Sequence, residues 1–338
     1  MRTAPYQTRL KPYGQALVDL AAERDDILCL SGDLTRQCEI DLFQAAYPDR
    51  FVNGGMAEAN LVGMAGGLAR RGFVPFFHTF GVFATRRAYD QVAMAVAYPN
   101  LPVRIVGFMP GVSSPGGPSH QATDDVALMR ALPNMTVVDV ADATETAQAV
   151  AAIVDAPGPV YLRLKRGEIP VLFDDDHRFD LAKAQVLRPG GESGGVVLVA
   201  SGMMVAAAAA AADVLQDNGV PVTLLNVPVI KPLDAATIVA ASRDAALVVS
   251  AENHSIVGGL GSAVAEALAE AGVGVPLERV GLRDVFATGA RTGPYLFARH
   301  GLSTADLVAR TWARLGRPGP VPEVVVAPPV DADTYAPV

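Results

Sequence analysis

Short apolar runs alternate with longer helical patterns over the first 165 residues, and this alternation limits the folds open to the chain. The predicted strands are residues 27–31, 74–77, 103–108, 136–140 and 160–164. The predicted helices are residues 57–70, 83–96, 124–132 and 144–154. Because helices alternate with strands, we predict a parallel sheet that is covered by helices on both faces.

The alternation stops at residues 168–195, where an acidic run and a turn-rich stretch of Pro, Gly and Ser replace it. It then resumes, with strands predicted at 196–200, 222–226, 246–250 and 275–280 and helices at 205–218 and 258–271. The predicted fold class is therefore α/β, with two three-layer α/β domains, the second smaller than the first. We predict a first domain at residues 1–168, a linker at 169–191, a second domain at 192–316 and an extended tail at 317–338.

Composition excludes several classes of protein. The 338 residues suffice for two domains with a sizeable core, and the formal net charge of −8 comes without a basic stripe that could bind nucleic acid. Cys29 and Cys38 belong to no metal-binding or disulfide pattern, so we expect no metal site in this chain. The chain shows no signal-peptide core and no long apolar run, so we expect no membrane interaction and a cytoplasmic location.

One segment, residues 54–83, combines an acid with a cluster of aromatic residues. Glu58 begins a predicted helix rich in Gly and Ala, and Phe80 and Phe83 follow at a spacing that can place both rings on one side. Glu58 could simply be a helix-start glutamate favoured by the helix dipole, and the phenylalanines could be core residues. The small residues around Glu58 instead favour burial at an interface. A buried acid beside aromatic rings suits a flat, polar heterocycle.

Two histidines and two cations are further candidates. His120 follows the turn-forming residues of the loop SSPGGPSHQ, where it could transfer a proton or bind a hydroxyl, although a helix-capping role is equally compatible. His254 also lies at a predicted strand end before a glycine turn, whereas His78 is predicted to be structural. Lys165 and Arg166 follow a strand and could bind phosphate or carboxylate, or could form a solvated strand end.

Several motifs together resemble the C-terminal part of transketolase, namely its pyrimidine-binding domain followed by its small C-terminal domain. They are SGDL, GGMAEANLVGMAGGLA, TFGVF, GGPSHQATDDVALMRALPNMTVVDVAD, IKPLD and ENHSIVGGLGSAVAE, and the resemblance covers residues 10–315. It implies thiamine diphosphate and a divalent metal as cofactors. The implied activity is the transfer of a two-carbon ketol unit from a ketose to an aldose.

The resemblance also implies roles for individual residues. Glu58 resembles the glutamate that hydrogen-bonds N1′ of the aminopyrimidine ring, and Phe80 and Phe83 resemble the aromatic residues that pack on that ring. Asp33, in SGDL, resembles an acid near the cofactor cleft. Arg86 stands where an aromatic residue often completes the ring contact.

On the substrate side, His120 resembles a histidine that contacts substrate hydroxyls, with His254 as a second candidate. Arg166, with Lys165, falls where the family binds a substrate phosphate. The chain departs from the family pattern at Gly116, where an acid is common, and at Phe108, near the place of a phosphate-contacting histidine. These departures predict an unusual ketose donor or aldose acceptor.

The family binds the diphosphate and the metal on a separate N-terminal domain that carries GDG and Asn, and this sequence has no such element. We therefore expect a partner subunit that binds the diphosphate and Mg²⁺ or Ca²⁺, an α2β2 assembly, sugar phosphate substrates and an inactive isolated chain. Two alternatives stay open at this point. One is the β subunit of a 2-oxo acid dehydrogenase, and the other is a non-catalytic regulatory or scaffold subunit.

Overall fold

The structure is a computed structural model and describes residues 1–2, 4–190, 194–289 and 291–325. The strands are β1 (Thr8–Leu10), β2 (Ile27–Ser31), β3 (Phe51–Asn53), β4 (Val74–Phe80), β5 (Arg104–Phe108), β6 (Thr136–Asp139), β7 (Val160–Leu164), β8 (Glu168–Pro170), β9 (Gln185–Arg188), β10 (Val196–Ala200), β11 (Val222–Asn226), β12 (Val229–Lys231), β13 (Leu247–Ser255) and β14 (Leu277–Leu282). The helices are α1 (Pro12–Ala22), α2 (Asp41–Ala46), α3 (Glu58–Ala69), α4 (Tyr89–Gln91), α5 (Asp125–Ala131), α6 (Ala143–Val154), α7 (Met204–Asp217), α8 (Ala235–Ser242), α9 (Leu260–Glu270), α10 (Gly293–Arg299) and α11 (Thr304–Arg314).

The first sheet has seven strands in the order β12-β6-β7-β5-β4-β2-β3. All neighbours pair in parallel except β12, which lies antiparallel to β6 at one edge. Every residue of β4, β5 and β7 is buried, and one apolar cluster packs on each face of the sheet. Such strands are typical of parallel sheets with helices on both faces, which confirms the predicted architecture.

The second sheet has five strands in the order β14-β13-β10-β11-β9, with β9 antiparallel to β11. Helices cover it on both sides, because one apolar cluster includes α7 and α11 residues and the other includes α8 and α9 residues. The predicted fold class of two three-layer α/β domains is confirmed. Among the described residues, no helix is long and apolar enough to cross a membrane.

The helix predicted at 83–96 is wrong in detail. In its place the chain forms a π-helical turn at Phe83–Arg87, the short helix α4, and a second π-helical stretch at Val92–Ala97. The strands predicted at 27–31, 160–164, 196–200 and 222–226 have the predicted bounds.

The predicted domain boundaries stay a prediction. Strand β9 lies within the segment predicted as a linker and pairs with the second sheet. Strand β12 lies within the segment predicted as the second domain and pairs with the first sheet. The predicted tail has neither helix nor strand at residues 317–325, and residues 326–338 lie outside the described part of the chain.

Buried polar contacts join the two halves. Asn253, on β13, accepts a hydrogen bond from the Val112 N–H at 3.0 Å and donates one to the Pro110 carbonyl at 3.0 Å. Both partners lie in the loop that leads to His120. Arg163, on β7, donates to the Asn253 carbonyl at 3.0 Å. The loop is therefore held by Asn253 of the second half, which Arg163 of the first half holds in turn.

Candidate active site

Glu58 lies at the first position of α3 and is only 3% exposed. The helix that carries it packs tightly against the π-helical stretch Val92–Ala97. A Cβ atom on Gly66 would lie 2.5 Å from the Ala95 carbonyl oxygen, so only glycine permits this approach. The glycine-rich sequence thus fixes the position of α3, and with it the position of the buried carboxylate.

Arg87 is the ion-pair partner of Glu58. Its Nη1 donates to Glu58 Oε1 at 3.0 Å, and its guanidinium carbon lies 3.9 Å from the centre of the Phe83 ring. The Arg87 side chain is 50% exposed, whereas the carboxylate is buried. Sequence reasoning missed Arg87. A detectable signal was its spacing of four residues from Phe83, which places two side chains on one side of a helical turn.

Phe80 and Phe83 form the aromatic pair that the sequence predicts. Their ring centres are 6.0 Å apart with an angle of 21° between the planes. The His120 imidazole meets both rings edge-on, with centroid distances of 5.2 Å to Phe83 and 6.4 Å to Phe80. The structure therefore brings His120 against the Phe80–Phe83 pair, and Arg87 connects Glu58 to the same pair through Phe83.

Gly116 allows His120 to take this position. A Cβ atom on Gly116 would lie 2.9 Å from the His120 side chain, so any larger residue would displace the imidazole. The hydroxyl of Ser119 lies 2.9 Å from His120 Nδ1. Gly116 stands where the family commonly has an acid, and the close packing of the loop on His120 explains why a glycine is needed here.

Arg86 and Asp33 occupy other places. Arg86 Nε lies 3.0 Å from both carboxylate oxygens of Asp124, the residue before α5, so its charge is already paired. Asp33 is exposed at the end of β2, has a positive φ of 63°, and accepts a hydrogen bond from Asn53 at 3.1 Å. Their predicted contact with the cofactor stays a prediction.

Lys165 and Arg166 follow β7, as predicted. The Lys165 ammonium lies 3.5 Å from the Glu168 carbonyl oxygen. Burial raises the pKa of the Cys38 thiol well above its usual value, and nearby Glu39 raises it further, whereas the charge of Arg166 partly offsets this rise. Arg166 therefore lies near the loop that follows β2. A substrate-binding role for the two cations stays a prediction.

His254 lies between the two halves of the chain and is fully buried. Its Nδ1 lies 2.6 Å from the Ser255 carbonyl oxygen, and its Nε2 accepts the Ala127 N–H at 3.3 Å. Burial lowers its pKa, so the neutral imidazole is favoured. These contacts tie β13 to α5, and they do not include the aromatic pair or His120. The predicted substrate contact of His254 is therefore left without support from its position.

His78 and Phe108, which the sequence analysis also named, are both buried in the core. His78 is fully buried, hydrogen-bonds the Tyr13 hydroxyl at 2.6 Å, and has a pKa lowered to about 4 by burial, in keeping with its predicted structural role. Phe108 is also fully buried and meets the Tyr13 ring edge-on at 5.6 Å. Phe108 is core packing, so this position offers no contact to a solute.

Comparison with known proteins agrees with these observations. A family model for the transketolase pyrimidine-binding domain matches residues 7–171, and a model for the transketolase C-terminal domain matches residues 182–307. The chain belongs to the transketolase family. It is 44% identical to an uncharacterised transketolase family protein of Sinorhizobium fredii, over 91% of this chain and 89% of that protein.

Two other transketolases are also similar over nearly their whole length. A 6-deoxy-6-sulfo-D-fructose transketolase subunit of Clostridium sp. is 39% identical over 90% of this chain and 95% of that subunit. A solved split-gene transketolase, described as an inactive β4 tetramer, is 41% identical with a TM-score of 0.82, over 90% of this chain and 97% of that chain. This chain is thus a transketolase-family transferase subunit of the split type.

Membership of the transketolase family implies thiamine diphosphate as cofactor, with this chain supplying a pyrimidine-binding domain. The described residues fit the pyrimidine end of that molecule. A buried carboxylate can face a ring nitrogen, and Oε2 of Glu58 accepts no hydrogen bond from the described residues. The Phe83 ring, connected to Glu58 through Arg87, and the neighbouring Phe80 ring offer flat apolar surface for a heterocycle.

Proposed function

We propose that this chain is the C-terminal subunit of a two-subunit, thiamine diphosphate-dependent transketolase that transfers a two-carbon ketol unit from a ketose to an aldose. The contacts that join Glu58, through Arg87, to Phe83, and Phe83 to Phe80 and His120, carry the proposal. The relatives described above are named as transketolases, so a 2-oxo acid dehydrogenase subunit is not favoured. Against a non-catalytic subunit stands Glu58 Oε2, which accepts no hydrogen bond from the described residues and so is available to a ligand.

Each residue has a distinct task in this proposal. Thiamine diphosphate, when bound, supplies the electron sink for cleavage and formation of the carbon–carbon bond. Glu58 holds the proton at N1′ of the pyrimidine, and Phe80 and Phe83 orient the ring. His120 lies against the Phe80 and Phe83 rings, where it binds substrate hydroxyls and transfers protons.

The proposed substrates are sugars with an anionic tail. Lys165 and Arg166 follow β7 and supply positive charge in a chain that is acidic overall. Such cations suit phosphate and sulfonate alike, and the clostridial relative is named for a sulfosugar. Sugar phosphates are our first choice, and a substrate panel that includes sulfosugars would decide between the two anions.

A partner subunit is proposed to bind the diphosphate and its Mg²⁺ or Ca²⁺, in an α2β2 assembly. The exposed face of α3 supports this, because it starts beside Glu58 and presents Met64, Gly63 and Gly67 to solvent. Exposed Met56 extends the same surface. An apolar surface beside a cofactor pocket suits a protein contact that would complete the pocket. The related β4 tetramer is described as inactive, which is the state we propose for this chain alone.

A cytoplasmic location is part of the proposal. Cys29 and Cys38 are both buried free thiols, as is usual in a reducing compartment.

The test is an assay of the chain with and without its partner. We expect no turnover by the isolated chain and ketol transfer by the reconstituted complex. Glu58→Gln should lower kcat by about 10²–10³-fold, the usual effect of removing one preorganised group. Glu270→Gln, at the exposed end of α9, is the matched control and should leave kcat unchanged. Turnover by the purified chain alone, or full activity of Glu58→Gln, would refute the proposal.

A further inference from the structure

Arg87 makes two contacts that together fix the orientation of its guanidinium group. One is the 3.0 Å hydrogen bond to Glu58 Oε1, and the other is the cation–π contact with Phe83, whose ring centre lies 3.9 Å from the Arg87 guanidinium carbon. A guanidinium held over a ring and bonded at one nitrogen can point its other N–H groups in only a few directions. Arg87 therefore links the acid to the aromatic pair.

The π-helical turn Phe83–Arg87 determines which of two adjacent arginines takes this place. Arg86 turns away and pairs with both oxygens of Asp124. Arg87 turns back over Phe83 and towards the start of α3. Single-turn π-helices are frequent at functional sites, and here the turn presents one guanidinium to Glu58 and Phe83.

A glutamate side chain has three rotatable bonds, so burial at a helix start does not by itself fix the direction of its carboxylate. The Arg87 contact is made by Oε1, while Oε2 accepts no hydrogen bond from the described residues. Holding one carboxylate oxygen thus leaves the other available for a donor from a ligand.

We propose that Arg87 is a positioning residue that holds Glu58 Oε1, so that Oε2 is preset to meet N1′ of the cofactor pyrimidine. The inference rests on the proposed function, because it assigns the ligand of Glu58 from that function. Such a contact contributes to catalysis only if the acid stays within about 0.5 Å of its productive place, which one flexible side chain does not achieve unaided.

The first test measures the N1′ contact directly in the reconstituted complex. The dissociation constants of thiamine diphosphate and of an analogue with CH in place of N1′ are compared. Wild type should bind the analogue about 10- to 100-fold more weakly, since that is the usual contribution of a charge-assisted hydrogen bond. Arg87→Met should remove most of this preference, and Arg87→Lys should restore part of it, because lysine keeps the charge without the planar guanidinium.

Arg70→Met is the matched control, because Arg70 is an exposed arginine at the end of the same helix. It should keep the wild-type preference. In steady-state assays Arg87→Met should lower kcat about tenfold while KM for the ketose stays constant, since the contact does not touch the sugar. In a Glu58→Gln background, Arg87→Met should have no further effect on the preference.

The outcomes separate the inference from the function on which it rests. If wild type discriminates between the two ligands and Arg87→Met discriminates equally well, the positioning role is overturned and the proposed function stands. If wild type binds neither ligand, both fail.

A crystal structure of the full-length Arg87→Met chain gives a second readout that needs no partner. The Glu58 carboxylate should leave its wild-type position, and an unmoved carboxylate would contradict the inference.

Discussion

Glu58 is a buried charge, and two features of the chain compensate for its lost hydration. It lies at the N-terminal end of α3, where the helix dipole favours a negative charge, and Arg87 supplies the opposite charge from outside. The second oxygen of its carboxyl group, Oε2, accepts no hydrogen bond from the described residues and is available to a polar ligand group. The motif around Glu58 was enough to predict its burial.

Four residues of this site could be predicted from the sequence, but their ion-pair partner could not, for a physical reason. Glu58, Phe80, Phe83 and His120 stand in motifs whose composition is unusual, so each could be named. The ion pair with Arg87 joins residues 29 positions apart, and it depends on how one turn is wound. No local pattern of charge or hydropathy encodes such a contact.

Glu39 predicts a specific pH dependence of stability. It is 3% exposed, accepts a hydrogen bond from the Gly14 N–H at 3.2 Å, and has a pKa raised by burial from 4.5 to about 7. Between these two values the folded chain keeps a proton that the unfolded chain has released. The contribution of Glu39 to the free energy of unfolding therefore falls as pH rises from 4.5 to 7, by on the order of 3 kcal/mol.

Glu39→Gln tests this by urea unfolding between pH 5 and 8. The stability of the variant relative to wild type should rise by about 2–3 kcal/mol over this range, because glutamine carries no titrating proton. Glu23 is an exposed glutamate at the end of α1, so Glu23→Gln serves as the control. Its free energy of unfolding should depend on pH in the same way as that of wild type. Parallel curves for Glu39→Gln as well would mean that Glu39 is charged in the folded chain.

At the level of elements, the glycines of α3 lie on two faces, one tightly packed and one open. Gly66 touches the Ala95 carbonyl, whereas a Cβ on Gly63 or Gly67 would meet nothing within 4 Å. The first glycine is required for packing within this chain. The other two leave a shallow surface on the side that we assign to the partner.

Gly66→Ala and Gly67→Ala form a matched pair one residue apart. Gly66→Ala should lower the free energy of unfolding of the isolated chain by about 1–3 kcal/mol, because a methyl group would push α3 away from Ala95. Gly67→Ala should leave it unchanged or raise it by up to about 1 kcal/mol, since alanine favours helix. Chemical denaturation measures both, and equal effects would disprove the packing argument.

Sequence analysis missed helices α1, α2, α8, α10 and α11 and strand β9, as well as four very short strands, and only these short strands share an evident cause. Strands β1, β3, β8 and β12 have three residues each, too few to show a period of two. The π-helical stretches were taken for one regular helix, because i→i+4 and i→i+5 bonding differ too little to show in five or six residues. The longer strands, which form the centres of both sheets, were predicted because their apolar runs are continuous.

In the whole molecule, a buried ionic cluster links the two halves. Arg163 donates to Asp125 at 2.7 Å and to Asp139 at 3.1 Å, and all three side chains are almost fully buried. The Ser201 hydroxyl, from the second half, donates to Asp139 at 2.9 Å. Folding of one half therefore satisfies polar groups of the other.

Arg163→Met should destabilise the chain by about 3–5 kcal/mol, because it leaves two carboxylates buried without a cation. Urea unfolding followed by circular dichroism measures the loss. Arg283→Met is the control, since Arg283 pairs with Glu278 at the surface, and it should change stability by less than about 1 kcal/mol. A small effect of Arg163→Met would show that the two acids are protonated and need no cation.

The antiparallel strand β12 has a consequence for how such a chain can be divided. It comes from the C-terminal half, yet it covers the β6 edge of the N-terminal sheet. A gene fragment that stops between the halves would encode a sheet whose β6 edge exposes unpaired backbone amides, and such an edge is a template for self-association. Any division of this chain between its two halves would therefore have to leave β12 with the first half.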